Sequence, residues 1–289
     1  MTAPRLAGGI GVLADRYDAF ILDQWGVLHN GSQPYPGAVE AVHRLKEAGK
    51  RVALLSNSGR RAAHNRAMLA HLGFEPADFD GIVTSGEAAW RVLSRGLPPF
   101  DGLGRRCYLI TRGGDRAVVE GLGVELVEDP HEADFLFASG VDSPEMGLED
   151  YKAALDVAAR RGLPLLCSNP DHWAPSSDGL VLAPGALAAY HAVQDGQVLY
   201  VGKPHRPIYD ACFEILDGVA RERIVAVGDS FEHDVKGANN AGIDACFVAG
   251  GLHAAELDGL EGEACEQAVA ELARRHEARA AWVVPAFRW

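Results

Sequence analysis

Short apolar runs alternate along this chain with segments whose apolar residues recur at three- and four-residue spacing. Strands followed by helices read this way. Ala19-Phe20-Ile21-Leu22 is the first strong strand, and 51–55 and 81–84 follow it. Between them the spacing predicts a helix over 36–48, with Pro36 at its start and Gly49 past its end, and another over 60–72, closed by Gly73. Farther on, 198–201, 224–227 and 243–248 read as strands, separated by helices over 207–216 and 231–241. Such alternation predicts an α/β fold, Rossmann-like, with a parallel sheet covered on both faces. The middle of the chain keeps the rhythm, with strands at 107–110, 135–138 and 164–167 and a helix over 148–161. The turn-rich Gly96-Leu-Pro-Pro-Phe-Asp-Gly marks a crossing into it. An inserted α/β domain is therefore expected at 86–190, inside a core made of 1–85 and 191–289. A helix over 264–280 and an aromatic tail end the chain.

Composition narrows what such a fold does. Of 289 residues, 48% are hydrophobic, enough for a buried core. Lys plus Arg number 27 against 40 Asp plus Glu, a net charge of −13. An acidic surface disfavours a nucleic acid polymer as partner and equally a basic membrane anchor. No apolar stretch approaches the roughly 18 residues of a membrane span, and the N-terminus lacks the apolar core of a signal peptide. Five cysteines, at 107, 167, 212, 246 and 265, form no C-x-x-C and are odd in number. The expectation is a reduced, cytoplasmic protein without a zinc site.

In open parallel sheets the ligand crevice lies beyond the carboxyl ends of the strands. The strand ends here carry Asp23, Ser56-Asn57, Gly202-Lys203-Pro204 and Gly228-Asp229, with Asp234 five residues on. Singly, each has a plain structural explanation: an aspartate capping the next helix, a serine N-cap, a solvated lysine. Together they place three carboxylates, a lysine and a hydroxyl on one edge. That set suits phosphoryl transfer with Mg²⁺. Carboxylates supply hard oxygen ligands, one carboxylate attacks phosphorus, and the lysine offsets the charge of the group in flight.

Asp23-x-x-Gly26-Val27-Leu28, Ser56-Asn57, Gly202-Lys203-Pro204 and Gly228-Asp229-x-x-x-x-Asp234 resemble the four motifs of the haloacid dehalogenase (HAD) superfamily. Asn169-Pro170-Asp171 and the insert between the second and third motifs are similar to its class IIA phosphatases, which carry a C2-type cap domain. The resemblance covers residues 18–251. It implies a phosphatase of a small phosphorylated metabolite, such as a sugar phosphate, a phosphoglycolate-like ester or a nucleotide monophosphate. Asp23 would be the nucleophile and a Mg²⁺ ligand. Ser56, Asn57 and Lys203 would hold the phosphoryl group, with Lys203 also steadying Asp23. Asp229, Asp234 and the backbone carbonyl of Trp25 would serve the metal, and Asn169 and Asp171 would lie near the substrate. Relatives with this cap often form homodimers, so self-association is expected too.

One position departs from the pattern. The family's phosphatases carry a second aspartate two residues after the nucleophile, which protonates the leaving oxygen and later activates water; here that residue is Trp25. A positioned acid or base contributes about 10²–10⁴-fold, or roughly 3–5 kcal/mol. Its loss leaves three outcomes: a slow enzyme, one restricted to leaving groups that need no proton, or a pseudophosphatase that only binds a phosphorylated ligand. An aromatic residue at this place also occurs in haloacid dehalogenases, although these have no use for the Asp229–Asp234 pair. His29 and His205 are the nearest replacement acids in sequence. Trp25 is either a packing residue or a platform for the substrate.

Overall fold

The run Ala19-Phe20-Ile21-Leu22 is buried throughout and lies inside a seven-stranded sheet, as its unbroken apolar character requires. A computed structural model describes residues 4–176, 179–257, 259–260 and 262–289. Its contacts divide the chain into two units: residues through 56 with 65–83 and 204–289, and residues 57–64 with 84–203.

The first unit begins with β1 (Arg5–Leu6), β2 (Ala19–Asp23), β3 (Arg51–Ser56) and β4 (Gly81–Thr84). The second unit holds β5 (Arg106–Ile110), β6 (Glu125–Leu126), β7 (Phe135–Ala138), β8 (Leu165–Cys167), β9 (Trp173–Ser176), β10 (Gly179–Leu182) and β11 (Val198–Tyr200). The chain then returns to the first unit with β12 (Ile224–Gly228), β13 (Asp244–Val248) and β14 (Trp282–Val284).

In the first unit the strand order is β1-β14-β13-β12-β2-β3-β4. The pairs flanking β2 are parallel, as strands joined through helices must be. Helix Ala38–Glu47 returns the chain from β2 to β3 and buries Ala38, Ala41, Val42 and Leu45, a single stripe at helical spacing. Helix Arg206–Ile215 buries Ile208, Tyr209, Ala211 and Cys212 in the same way. The helix expected over 231–241 opens as a π-helical turn, Phe231–Val235, and continues as Lys236–Ala241. Such turns often mark functional sites.

The aromatic tail joins the first unit's sheet. Trp282–Val284 forms β14, which pairs in parallel with both β13 and β1. The indole N–H of Trp282 donates to the Tyr17 hydroxyl at 3.0 Å, and that hydroxyl donates to Asp244 at 2.5 Å. The glycine run 8–11 meets the same tail, with the Ile10 amide donating to the Arg288 carbonyl at 2.8 Å.

The second unit has a parallel sheet in the order β11-β8-β7-β5-β6 and an antiparallel hairpin of β9 and β10. Its core gathers Leu136, Ala138, Leu155, Leu165 and Leu187 between strands and helices. Two differences from the sequence reading matter. The strand at 198–201 is expected in the sheet of Asp23, but Val198, Leu199 and Tyr200 pair with Leu165, Leu166 and Cys167. The contacts accordingly carry the second unit from 84 to 203 and add 57–64, where the sequence placed the insert at 86–190. A three-residue apolar run satisfies either sheet, so composition alone does not choose. Among the described residues no helix is long and apolar enough to cross a membrane.

Candidate active site

The acids of the first unit are placed by strand register. β2 lies between β3 and β12, both parallel to it. Asp23 faces Leu55 on one side, and Leu22 faces Val227 on the other. Ser56 is thus the next residue on β3, and Gly228-Asp229 come next on β12, all at carboxyl ends. The turn after β12 brings back Asp234, whose carboxylate accepts the Ser230 N–H at 3.1 Å. One oxygen from each of Asp23, Asp229 and Asp234 lies within 4.8 Å of the others, and the three residues are 8%, 6% and 5% exposed. Three like charges this close in a buried place repel, and a divalent cation offsets that repulsion. The donor set fits one: hard carboxylate oxygens from several elements, with room in the coordination shell for other oxygens.

Asp229 is held from two sides. The Leu252 N–H donates to its Oδ2 at 2.7 Å. Gly26 lies against it at φ +81°, and a Cβ there would collide with the Asp229 carboxylate. Glycine is required at 26 by conformation and by space alike.

The loop after Asp23 folds back on itself. Gly26 N–H donates to the His29 carbonyl, and Tyr35 N–H to the Leu28 carbonyl. The Trp25 indole lies against Gly31, whose φ is +94° and whose Cβ would run into the ring. The His29 ring sits 5.7 Å from the indole, and its Nδ1 accepts the Gly31 N–H at 2.9 Å. Three polar residues escaped the sequence reading. Gln24 and Asn65 are buried partners, with the Asn65 amide donating to Gln24 at 2.7 Å. Tyr35 is the third: burial, and then the Asp229 charge, hold its phenol above the usual range. An asparagine within helix Ala62–His71 was the only available sign of the first pair.

The second unit assembles Lys203, Asn57, Asp171 and Asn169. Lys203 is 3% exposed. The Asn57 side-chain carbonyl accepts the Lys203 N–H at 2.7 Å, and its amide donates to the Lys203 carbonyl at 3.2 Å and to Asp171 at 2.8 Å. Asp171 in turn donates its N–H to the Asn169 side chain at 2.9 Å. Sequence reading gave Asn57 to the phosphate; here its side chain is occupied with Lys203 and Asp171.

Comparison with known proteins decides the family. The model of haloacid dehalogenase-like hydrolases matches residues 20–125, and a second, HAD-hydrolase-like, matches 200–284. Human chronophin (Homo sapiens) is 30% identical over 247 residues, covering 82% of each chain. The chain belongs to the haloacid dehalogenase-like hydrolases. A hydrolase of this family from Brucella suis 1330 has a crystal structure that matches with a TM-score of 0.81 at 32% identity, covering 97% of this chain and 99% of that one. Glycerol phosphate phosphatase from Mycobacterium tuberculosis, crystallised with magnesium, matches with a TM-score of 0.65 at 26% identity, covering 83% and 70%.

In this hydrolase the two histidines nearest Asp23 and Lys203 in sequence are both disposed to stay neutral. Burial lowers the pKa of His205, with the neighbouring His233 adding to the effect. Burial also holds His29 at about 4, below its ordinary 6.5. A folded-state value below the unfolded one means the unfolded chain takes up this proton first. Stability is therefore full above about pH 6.5 and is expected to fall by roughly 3 kcal/mol as pH drops to about 4. Urea unfolding across that range checks this, and His29→Gln should flatten that part of the profile.

Proposed function

We propose that this hydrolase is a phosphoric monoester hydrolase that needs Mg²⁺ and acts on a small phosphorylated metabolite through an aspartyl-phosphate. The observation that carries the reading is the trio of buried carboxylates meeting at one parallel sheet edge. The glycerol phosphate phosphatase among its relatives, crystallised with magnesium, supports the same class.

Asp23, Asp229, Asp234 and the Trp25 carbonyl would hold the ion, which when bound draws charge from the phosphoryl oxygens. An Asp23 carboxylate oxygen forms a bond to phosphorus as the ester P–O bond breaks, and water then releases phosphate from Asp23. Ser56 is suited to donate to a phosphoryl oxygen, and the Lys203 ammonium offsets the charge of the group in transfer. Asn57 acts through Lys203, fixing its backbone from both sides. Asn169 and Asp171 orient the substrate's remaining part.

The test is phosphate release from p-nitrophenyl phosphate by the purified protein. Release is expected with Mg²⁺, lost on adding EDTA and restored by excess Mg²⁺. No release at any Mg²⁺ concentration would refute the reading.

A further inference from the structure

The residue two places after Asp23 is an indole, and the loop that carries it supplies no carboxylic acid in its place. Between positions 24 and 35 the sequence contains no aspartate or glutamate. The Trp25 ring is wedged against Gly31, where the left-handed backbone admits no side chain. His29, 2% exposed, gives its Nδ1 to the Gly31 N–H, so its proton sits on Nε2, a nitrogen with no hydrogen-bond partner. Gln24 is bonded to Asn65. An indole N–H is far too weak an acid to protonate a leaving oxygen, and the one other acid of this loop, the Tyr35 phenol, is held above its usual range by burial and by the Asp229 charge, so the loop offers no group matched to the missing carboxyl.

We propose that Trp25 makes the enzyme selective for phosphorylated compounds whose leaving group departs as a stable anion, namely aryl, enol and acyl phosphates, over alkyl phosphates such as those of sugars or glycerol. This rests on the phosphatase reading above. In the first half-reaction an Asp23 oxygen bonds to phosphorus while the bond from phosphorus to the leaving oxygen breaks. That oxygen keeps the electron pair and departs as phenolate, enolate or carboxylate, taking any proton later from solvent. In the second half water attacks phosphorus, the P–O bond to Asp23 breaks with its electron pair returning to the carboxylate, and the water's proton passes to solvent. Without a base at position 25 this second half is slow, so phosphoenzyme accumulates whenever the leaving group is good.

The experiment measures kcat/KM with Mg²⁺ for aryl phosphates of graded leaving-group acidity, for acetyl phosphate and for glycerol phosphate. Wild type, Trp25→Asp and Trp25→Phe are compared, and circular dichroism verifies that each is folded. The wild type should show a steep fall in kcat/KM as the leaving group becomes less acidic, and a burst of p-nitrophenol before steady turnover. Trp25→Asp should raise glycerol phosphate hydrolysis by about 10²–10⁴-fold, the worth of a positioned acid, while changing the most acidic aryl esters little. Trp25→Phe should keep the steep slope, and with the wild-type slope it decides the matter even if the aspartate variant does not fold. A shallow slope in an active wild type would overturn this inference alone. A folded Trp25→Asp with an unchanged slope would do the same. No turnover of any ester by the wild type would overturn the phosphatase reading, and this selectivity with it.

Discussion

Asp23→Asn is expected to lower phosphate release by about 10⁴-fold or more, because on the proposed mechanism it removes the carboxylate that bonds to phosphorus. The substitution is nearly isosteric and sits at the end of the fully buried strand β2, so the fold should survive it. Its effect on stability has a definite sign. Asp23, Asp229 and Asp234 present oxygens within 4.8 Å of one another, and a neutral amide removes one of three mutually repelling charges. The metal-free variant should therefore melt at the same temperature as wild type or higher. A drop in melting temperature would mean that Asp23 holds the fold rather than reacts. Mass spectrometry of acid-quenched wild type should find phosphate on Asp23, and the variant should carry none. Retention of more than about a tenth of the activity would place the nucleophile elsewhere.

The acids were legible in the sequence because parallel strands make them so. In such a sheet, a strand's last residue faces the ligand edge whatever the partner order, so Asp23, Ser56 and Asp229 could be placed without knowing which strands are neighbours. Lys203 illustrates the limit of that argument. Its strand end reads as chemically loaded, but Val198-Leu199-Tyr200 belongs to the sheet of β8 rather than that of β2. Sheet membership is fixed by which hydrophobic surface the run completes, a property of distant residues. β14 escaped notice for a different reason: three residues between a helix and Pro285 are too few for periodicity to register. The loop after Asp23 was legible only as a motif with a departure. That Trp25 rests on Gly31 follows from a glycine at φ +94°, which spacing does not encode. The partners of the Asn57 side chain lie 114 and 146 positions away, which no local pattern reveals.

The role assigned to Asn57 has a direct consequence for kinetics. Its amide spans the Lys203 backbone, accepting the N–H and donating to the carbonyl, and also reaches Asp171. Removing the charge outright, as Lys203→Met, should reduce kcat/KM by about 10²–10³-fold, the cost of losing one preorganised electrostatic partner of the transferring group. Asn57→Ala leaves the ammonium present but its backbone unheld, and should cost about 10–100-fold. It should also lower unfolding stability by about 1–3 kcal/mol, since the Lys203 N–H loses its acceptor in a buried place. If Asn57 works through Lys203, the two losses do not add. In the Lys203→Met background, Asn57→Ala should change kcat/KM by less than about threefold, a coupling of about 1–3 kcal/mol. Additive losses would instead show that the Asn57 amide reaches the phosphate itself. The amide would then have to leave the Lys203 N–H, and Asn57→Asp tests for that contact. Aspartate still accepts that N–H, but it loses both donated bonds, faces the Asp171 carboxylate and repels a phosphate, so activity near wild type in Asn57→Asp excludes direct contact, and a loss leaves the decision to the double-variant cycle.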